Sequence, residues 1–258
     1  MSSLLFNIEN SVAYIVLNRP EKFNSFNREM ALELQRTLDE CQNNKDVRCI
    51  HITGAGKAFC AGQDLAEATD PQGPSMEDIV DQHYNPIIER LRKIEKPVVA
   101  AVNGVAAGAG ANIALACDNV LAVERPSFIP AFSKIRLVPD CGGTFFLARL
   151  VGLQRAAALM MTGDKVSAPE AAAMGMIYKT YPNGVFEEET KKFAEQLAQM
   201  PTKGIGLTKR LLNESFHHTL EEQLLREKQL QVEAGATHDF KEGVQAFLEK
   251  RQPVFKGE

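Results

Sequence analysis

The stretch of small residues from Ala101 to Asn112 limits the possible folds more than any other segment of this chain. It follows the apolar run 97–102 and leads into the apolar segment 113–117, a pattern typical of a strand followed by a buried helix. Most side chains at this junction are Gly or Ala, so main-chain N–H groups at the helix start can approach a bound group closely. Those donors suit either a phosphate or a developing oxyanion.

The length and composition favour one globular domain. A chain of 258 residues with 45% hydrophobic side chains can bury a sizeable core. The net charge of −4 argues against nucleic acid or an anionic membrane as the main partner. No apolar run approaches the roughly 20 residues that cross a bilayer, and the N-terminus lacks the pattern of a signal peptide. We therefore expect a cytoplasmic protein without a membrane partner.

The cysteines and histidines show no metal-binding spacing. The five cysteines are scattered and form no C-x-x-C pair, and the five histidines form no ligand set. An odd, scattered set of cysteines predicts free, buried thiols in a reducing compartment. We therefore expect no metal site.

Alternating apolar segments predict an α/β fold, because strands that alternate with helices need crossover connections and form a largely parallel sheet. From about residue 142 the pattern changes mainly to helices. We expect an α/β core over 1–195, and a helical region over 196–258 that caps the site or mediates assembly. The expected strands are 11–17, 49–53, 97–102, 119–123 and 177–181, and the expected helices are 27–43, 79–94, 142–151, 153–162, 167–174 and four more between 187 and 251.

Glycine-rich turns invite a nucleotide-binding interpretation, which the spacing does not support. The turn at 54–57 lacks the P-loop pattern, and the turn at 108–110 lacks the third glycine of a dinucleotide site. A second small-residue turn at 57–65 could present the N–H of Gln63. Together with the N–H of Ala109, it would form an oxyanion hole that polarises a carbonyl.

Five further motifs stand out along the chain: Asn18-Arg19-Pro20, Asn24-Ser25-Phe26-Asn27, Lys57-Ala58-Phe59-Cys60-Ala61-Gly62-Gln63-Asp64-Leu65, Val102-Asn103-Gly104 and Pro139-Asp140-Cys141-Gly142-Gly143-Thr144. In order and spacing over essentially the whole chain, they resemble the crotonase superfamily of enoyl-CoA hydratases and isomerases. This resemblance implies a fold of stacked β-β-α turns with C-terminal helices, an acyl-CoA thioester substrate, and trimers that often pair into hexamers. It implies no separate cofactor, because coenzyme A is part of the substrate.

The resemblance also implies which residues meet the substrate. Gln63 and Ala109 take the positions of the two thioester-carbonyl donors. Phe247 and Lys250 fall where family members stack on adenine and meet a phosphate, often from a neighbouring subunit. Taken singly, Phe247 fits a helix core better and Lys250 fits a solvated surface better. The remaining expected contacts to substrate or coenzyme A are Lys57, Ala61, Asp64, Leu65 and Phe132, and from the residues alone Asp64 is expected to organise its turn.

The chain departs from the hydratase pattern at two positions. Hydratases of this family activate water with two glutamates, and Asn112 and Phe132 stand at those positions here. Neither an amide nor a phenyl ring acts as a general acid or base at neutral pH. Hydration by the usual pair is therefore not expected, and Asn112 is expected to orient the substrate or a water molecule.

Asp140 supplies a carboxylate where many hydratases have glycine. It could cap the helix that follows, or it could act as a general base. Phe132, Phe145 and Phe146 could desolvate the carboxylate and raise its pKa, although the helix dipole opposes that rise. An acidic residue here resembles the proton shuttle of enoyl-CoA and dienoyl-CoA isomerases.

Within the family, the motifs are most similar to those of the ring 1,2-epoxyphenylacetyl-CoA isomerases of phenylacetate degradation. We therefore expect an acyl-CoA isomerase that uses Asp140 as proton shuttle, acting on a ring epoxide, on a 3-enoyl-CoA, or on both. The alternatives are an enoyl-CoA hydratase or thioester hydrolase that holds water on Asp140 and Asn112, and a catalytically silent CoA-binding protein.

Overall fold

The computed structural model describes residues 2–258, which contain ten strands and twelve α-helices. The strands are β1 (Leu4–Glu9), β2 (Val12–Leu17), β3 (Cys49–Gly54), β4 (Ala58–Cys60), β5 (Val98–Val102), β6 (Val105–Ala107), β7 (Asn119–Val123), β8 (Ser127–Ile129), β9 (Val166–Ser167) and β10 (Lys179–Tyr181). The helices are α1 (Arg28–Asn43), α2 (Leu65–Ala68), α3 (Met76–Asp78), α4 (Asn85–Lys93), α5 (Ala109–Ala116), α6 (Gly143–Val151), α7 (Leu153–Thr162), α8 (Ala168–Ala173), α9 (Phe186–Ala198), α10 (Thr202–Glu214), α11 (Leu220–Gly235) and α12 (His238–Glu249).

The larger sheet has six strands in the order β1-β2-β3-β5-β7-β10. Only β1 is antiparallel to its neighbour, and the other pairs are parallel. Strand β5 is buried along its whole length because helices cover both faces of the sheet. Alternate residues of β2 serve the two faces: Ala13 and Ile15 pack into the main core, whereas Val12 and Tyr14 pack toward α9. The predicted parallel sheet is confirmed.

The smaller sheet has four short strands in the order β4-β6-β8-β9. Each of β4, β6 and β8 follows a strand of the larger sheet after a few residues, and α2, α5 and α6 come next in the chain. This repetition stacks three β-β-α units and confirms the expected fold. The units approach so closely that a Cβ atom on Gly104 would overlap the main chain of Lys57.

Several expected elements need correction. The sequence interpretation missed β1 and all four strands of the smaller sheet. The strand expected at 177–181 covers only Lys179–Tyr181, and the helix expected at 79–94 begins with the π-helical turn Ile79–Tyr84. The helices expected near 142, 153, 167 and from 187 onward are confirmed as α6 to α12.

The C-terminal segment is tied to the rest of the chain by two polar residues. Asp239, which is 2% exposed, accepts hydrogen bonds from the N–H groups of Lys256 and Gly257, both at 2.7 Å. Arg48 donates to the carbonyl of Phe255 at 2.9 Å and to the hydroxyl of Thr202. The expected boundary after residue 195 falls within α9, and the division into core and C-terminal region stays a prediction. Within residues 2–258, no helix is long and apolar enough to cross a membrane.

Candidate active site

The turn before α5 has a backbone that strongly favours glycine. Gly108 adopts φ +51° and ψ −127°, a conformation that a side chain would strain. Its N–H donates to the carbonyl of Ile129, which fixes the turn against β8. The ring of Phe132 lies beside it, 3.9 Å from the place where a Cβ atom of Gly108 would stand. Ala109 therefore begins the helix with its N–H directed away from the helix interior.

The turn after β4 lies against this first turn. Gly62 has φ +95°, and a Cβ atom on it would stand 3.0 Å from the carbonyl oxygen of Ala107 and 3.5 Å from the nitrogen of Ala109. Gln63 forms an isolated bridge with Phe26, held by hydrogen bonds from Phe26 N–H to Gly62 and from Asp64 N–H to Phe26. In the chain from residue 2 to 258, neither Gln63 N–H nor Ala109 N–H has an intramolecular acceptor. Both are free to donate to a ligand, and the oxyanion hole stays a prediction.

Asp64 organises the second turn, as expected. Its carboxylate accepts hydrogen bonds from Arg19 at 2.8 Å and from the N–H of Ala66 at 3.0 Å. Partial burial opposes its ionisation, but these donors outweigh burial and hold the pKa of Asp64 below its ordinary value. Its role is to cap α2 and to anchor the turn to Arg19.

Asp140 does not cap the following helix. The N-cap of α6 is Gly142, and no side chain accepts a hydrogen bond from the helix start. The Asp140 carboxylate is half-buried, and its Oδ1 atom has no hydrogen-bond partner in the described part of the chain. Burial raises the pKa of Asp140, although the neighbouring Cys141 thiol and the main-chain N–H of Asp140 counteract part of the rise. The helix-cap interpretation is therefore wrong, and the carboxylate remains available for chemistry.

Asn112 contacts the Asp140 loop. Its side chain is 4% exposed, and its Nδ2 atom donates to the main-chain carbonyl of Asp140 at 2.9 Å. The absence of a side chain at Gly143 makes this contact possible, since a Cβ atom there would overlap the Asn112 amide. One N–H of the amide is thus committed to the protein, and the Oδ1 atom and the second N–H remain for a substrate or water.

The three phenylalanines expected around Asp140 lie in different parts of the structure. Phe132 lies beside the first turn, and Phe146 packs over Gly142, close to Asp140 in the chain. Phe145 instead stacks edge-on against Phe216, with the guanidinium of Arg149 3.6 Å from its ring centre. The expectation that Phe145 shields the carboxylate is not supported, because its ring packs against Phe216 and His217 in the turn after α10.

Sequence reasoning missed Tyr84, which contacts the second turn. The Tyr84 hydroxyl donates to Oε1 of Gln63 at 2.7 Å. Burial raises the pKa of Tyr84 well above its ordinary value, so the hydroxyl keeps its proton. The available sequence signal was Pro86 inside a helical pattern. It predicts a local distortion of the helix, but it does not indicate that Tyr84 contacts Gln63.

The other expected contact residues lie in two places. Lys57, Ala61 and Leu65 are exposed around the second turn. Phe247, which is 83% exposed, borders a groove of about 430 Å³ between α10, α11, α12 and the C-terminal segment, and Lys250 ends α12. No residue from 57 to 65 lines this groove. A single chain does not unite the two groups, and their shared contact with coenzyme A stays a prediction.

The cysteines are free and buried, as expected. Burial raises the pKa of Cys60, which lies under the first turn, to about 12, so it is a poor nucleophile at neutral pH. Within residues 2–258, no cluster of three or more His, Cys, Asp or Glu side chains could hold a metal ion.

The structure thus combines stacked β-β-α units with two adjacent turns that expose free N–H groups. The model of the enoyl-CoA hydratase/isomerase family matches residues 7–258. The chain belongs to this family and is an enzyme of the hydratase/isomerase type.

Relatives with both kinds of activity in their names are similar over their full length. The chain is 44% identical to the 1,2-epoxyphenylacetyl-CoA isomerase of Escherichia coli K12, covering 100% of this chain and 99% of the relative. It is 41% identical to a probable enoyl-CoA hydratase of Rhodobacter capsulatus, covering 99% and 98%. Among solved structures, an enoyl-CoA hydratase from Bacillus anthracis superposes with a TM-score of 0.93 at 34% identity, covering 99% of this chain and 100% of that chain.

Proposed function

We propose that the protein is an acyl-CoA isomerase with an enolate-stabilising oxyanion hole and an Asp140 proton shuttle. The thioester carbonyl lies between the N–H groups of Gln63 and Ala109. Each such donor contributes about 3–4 kcal/mol to stabilising the oxyanion. Asp140 removes an α- or γ-proton and returns it to another carbon, so the double bond moves while the atoms of the substrate are conserved.

The observation that carries this proposal is the unpartnered carboxylate oxygen of Asp140. A half-buried carboxylate with a free oxygen and a raised pKa has the properties of a general base that also returns its proton. At the two positions where family hydratases hold glutamates, Asn112 and Phe132 offer no proton exchange.

The similarity to the Escherichia coli enzyme supports a more specific substrate. We propose conversion of ring 1,2-epoxyphenylacetyl-CoA to its oxepin form, isomerisation of 3-enoyl-CoA to 2-enoyl-CoA, or both, in phenylacetate breakdown. Enolate stabilisation by the same two donors accompanies epoxide opening and ring expansion. The buried ring of Phe132 beside Gly108 makes this side of the first turn apolar, which suits an aromatic acyl group.

The hydratase-named relative supports a second candidate function, which is hydration of a 2-enoyl-CoA. In this case Asp140 and the Oδ1 atom of Asn112 would hold the attacking water. Thioester hydrolysis would use the same water, and a silent CoA-binding protein would keep the fold without turnover.

A substrate panel with mass detection distinguishes these candidates. The panel holds 3-enoyl-, 2-enoyl- and ring-epoxide CoA esters, and the variants are Asp140→Ala and Asp140→Asn, with exposed Asp164→Asn as the matched control. We expect isomerisation without mass change, lost in both Asp140 variants and kept in the control. A gain of 18 Da would support hydration instead. Isomerisation at the parental rate in Asp140→Ala would contradict the proposed shuttle, and binding without turnover would support the silent protein.

We also propose a homotrimer or a dimer of trimers. Apolar side chains of α11 and α12, including Leu220, Val232, Phe240 and Leu248, are more than half exposed in the single chain. A large exposed apolar surface is typical of an interface between subunits. Native mass spectrometry gives the subunit number directly, and a monomer at micromolar concentration would contradict this assembly.

A further inference from the structure

Pro86 gives the helix before it an unusual turn. Because proline has no N–H, the carbonyl of Gln82, four residues earlier, cannot receive the usual helical hydrogen bond. Gln35 of α1 supplies the missing donor: its Nε2 atom lies 2.7 Å from the carbonyl of Gln82 and 3.2 Å from that of His83. The chain widens here into the π-helical turn Ile79–Tyr84. Such turns are rare and concentrate at functional sites.

The π-helical turn places Tyr84 against the second turn, the one that carries Gln63, and Tyr84 contacts it in two ways. Tyr84 is 1% exposed, and its ring packs edge-on against Phe26, with 6.0 Å between the ring centres. Phe26 is the residue whose main chain pairs with Gln63. The Tyr84 hydroxyl donates to the Gln63 side chain at 2.7 Å. One side chain therefore contacts the turn through its ring and through its hydroxyl.

The other end of the Gln63 amide is also fixed. Its Nε2 atom donates to the carboxylate of Glu67 at 3.1 Å, and Glu67 in turn accepts from the main-chain N–H of Arg28. The amide oxygen thus faces Tyr84 and the nitrogen faces Glu67. Since the buried Tyr84 hydroxyl keeps its proton, it acts as a donor over the whole working pH range.

We propose that Tyr84 is a positioning residue for the oxyanion hole, which acts through the Gln63 side chain to aim the Gln63 N–H at the thioester oxygen. This inference rests on one part of the proposed function, the binding of the thioester carbonyl by the Gln63 N–H, and does not depend on which reaction follows. A donor stabilises an oxyanion only while its direction and distance are held, and a small displacement is costly because the charge develops at one point.

Tyr84→Phe tests this role, because it removes one hydroxyl and keeps the ring that packs on Phe26. The probe is phenylacetyl-CoA labelled with ¹³C at the thioester carbonyl, whose stretching frequency is lowered by a polarising site. We expect the bound probe to show a smaller lowering in the variant than in the parent. We expect kcat to fall by about 10- to 100-fold while KM changes less than threefold. Exposed Tyr178→Phe is the control and should change neither quantity.

A double-mutant cycle with Gln63→Ala tests whether Tyr84 affects catalysis through the Gln63 side chain. This variant keeps the Gln63 N–H and removes only the side chain that Tyr84 holds. If Tyr84 acts through that side chain, the double variant is no slower than the slower single variant. Independent, multiplying losses would overturn the inference, as would an unchanged carbonyl frequency in Tyr84→Phe. A parent that lowers the carbonyl frequency without isomerising any substrate would instead overturn the proposed function and leave this inference standing.

Discussion

The side-chain amide of Asn112 donates to the main-chain carbonyl of Asp140 across 2.9 Å, and this bond ties helix α5 to the loop that carries the carboxylate. Ala109, with its free N–H, begins the same helix. The proposed charge-stabilising donor and the proposed base are thereby joined in one rigid unit. Asn112 therefore positions the Asp140 loop, in addition to any contact that its oxygen makes with a ligand.

Two replacements of Asn112 distinguish its role in positioning the Asp140 loop from the effect of a negative charge at this position. Asn112→Ala removes the donor, so we expect the Asp140 loop to loosen and kcat to fall by about tenfold or more. Asn112→Asp places a second acceptor beside the carbonyl and a negative charge near Asp140, which raises the pKa of Asp140 further. The pH–rate profile should then shift to higher pH in Asn112→Asp but not in Asn112→Ala. Equal profiles for the two variants would show that the charge does not reach Asp140.

Ionised Asp140 is expected to lower the stability of the fold and to be the form that is active. Its folded-state pKa lies above the ordinary value of 3.8, so the folded state holds its proton more tightly than the unfolded state. Ionisation of Asp140 therefore lowers stability as the pH rises above 3.8 through the raised pKa. Asp140→Asn should unfold at a higher temperature than the parent at pH 7, and the difference should shrink on acidification below that window.

Activity should follow the opposite direction with pH. The parent isomerase rate should rise with pH through the raised pKa of Asp140, because only the ionised form removes a proton. Asp140→Asn should lose about 100- to 10,000-fold in kcat. A variant that is both less stable at pH 7 and fully active would contradict the assignment of a desolvated base.

Two helical glycines should respond oppositely to alanine. A Cβ atom on Gly110 in α5 would stand 2.5 Å from the carbonyl oxygen of Cys60 and 2.6 Å from its sulfur, so Gly110→Ala should destabilise by about 1–3 kcal/mol. Gly204 in α10 has nothing closer than 3.9 Å, so Gly204→Ala should stabilise by about 0.5–1 kcal/mol. Urea unfolding measures both. Equal effects would show that helix propensity, and not packing under the first turn, decides the outcome.

The C-terminal segment should detach when Asp239 is replaced. Asp239→Ala removes the acceptor for the N–H groups of Lys256 and Gly257, so these amides should exchange with deuterium much faster. The loss of two hydrogen bonds, at about 0.5–1.5 kcal/mol each, should cost about 1–3 kcal/mol in unfolding free energy. The exposed Asp164→Ala is the control and should leave exchange unchanged. Unchanged protection in Asp239→Ala would mean that other contacts, such as those of Arg48 with Phe255 and of Glu242 with Val254, are enough to hold the segment.

The long elements were predictable because their periodicity is strong. Alternation in β2 and the apolar face of α1 identify both elements correctly, with Asn27 capping the helix through the N–H of Met30. The smaller sheet was not predictable, since strands of two or three residues such as β9 and β6 are too short to show alternation of apolar and polar residues. Edge strand β1 buries only Leu4 well, so its pattern resembles a loop.

The site was predictable where the main chain forms it. Gly62 and Gly108 mark the two turns in the sequence, and each has a positive φ angle in the structure. The hydrogen bond between Tyr84 and Gln63 was not predictable from the sequence. It depends on a π-helical turn that Pro86 and Gln35 create together from distant segments. Asp140 was left between two roles because a sequence does not show whether a carboxylate faces a helix start or a cavity.

Because the two free donors at Gln63 and Ala109 belong to the main chain, a conventional mutational scan would overlook them. Every substitution except proline leaves an N–H in place, and Ala109 is already alanine. The sensitive positions would be Gly62 and Gly108, which carry no chemistry of their own but hold the turns open. For these two donors, the positions that do not tolerate substitution are therefore expected to lie one residue before the groups that bind the oxyanion.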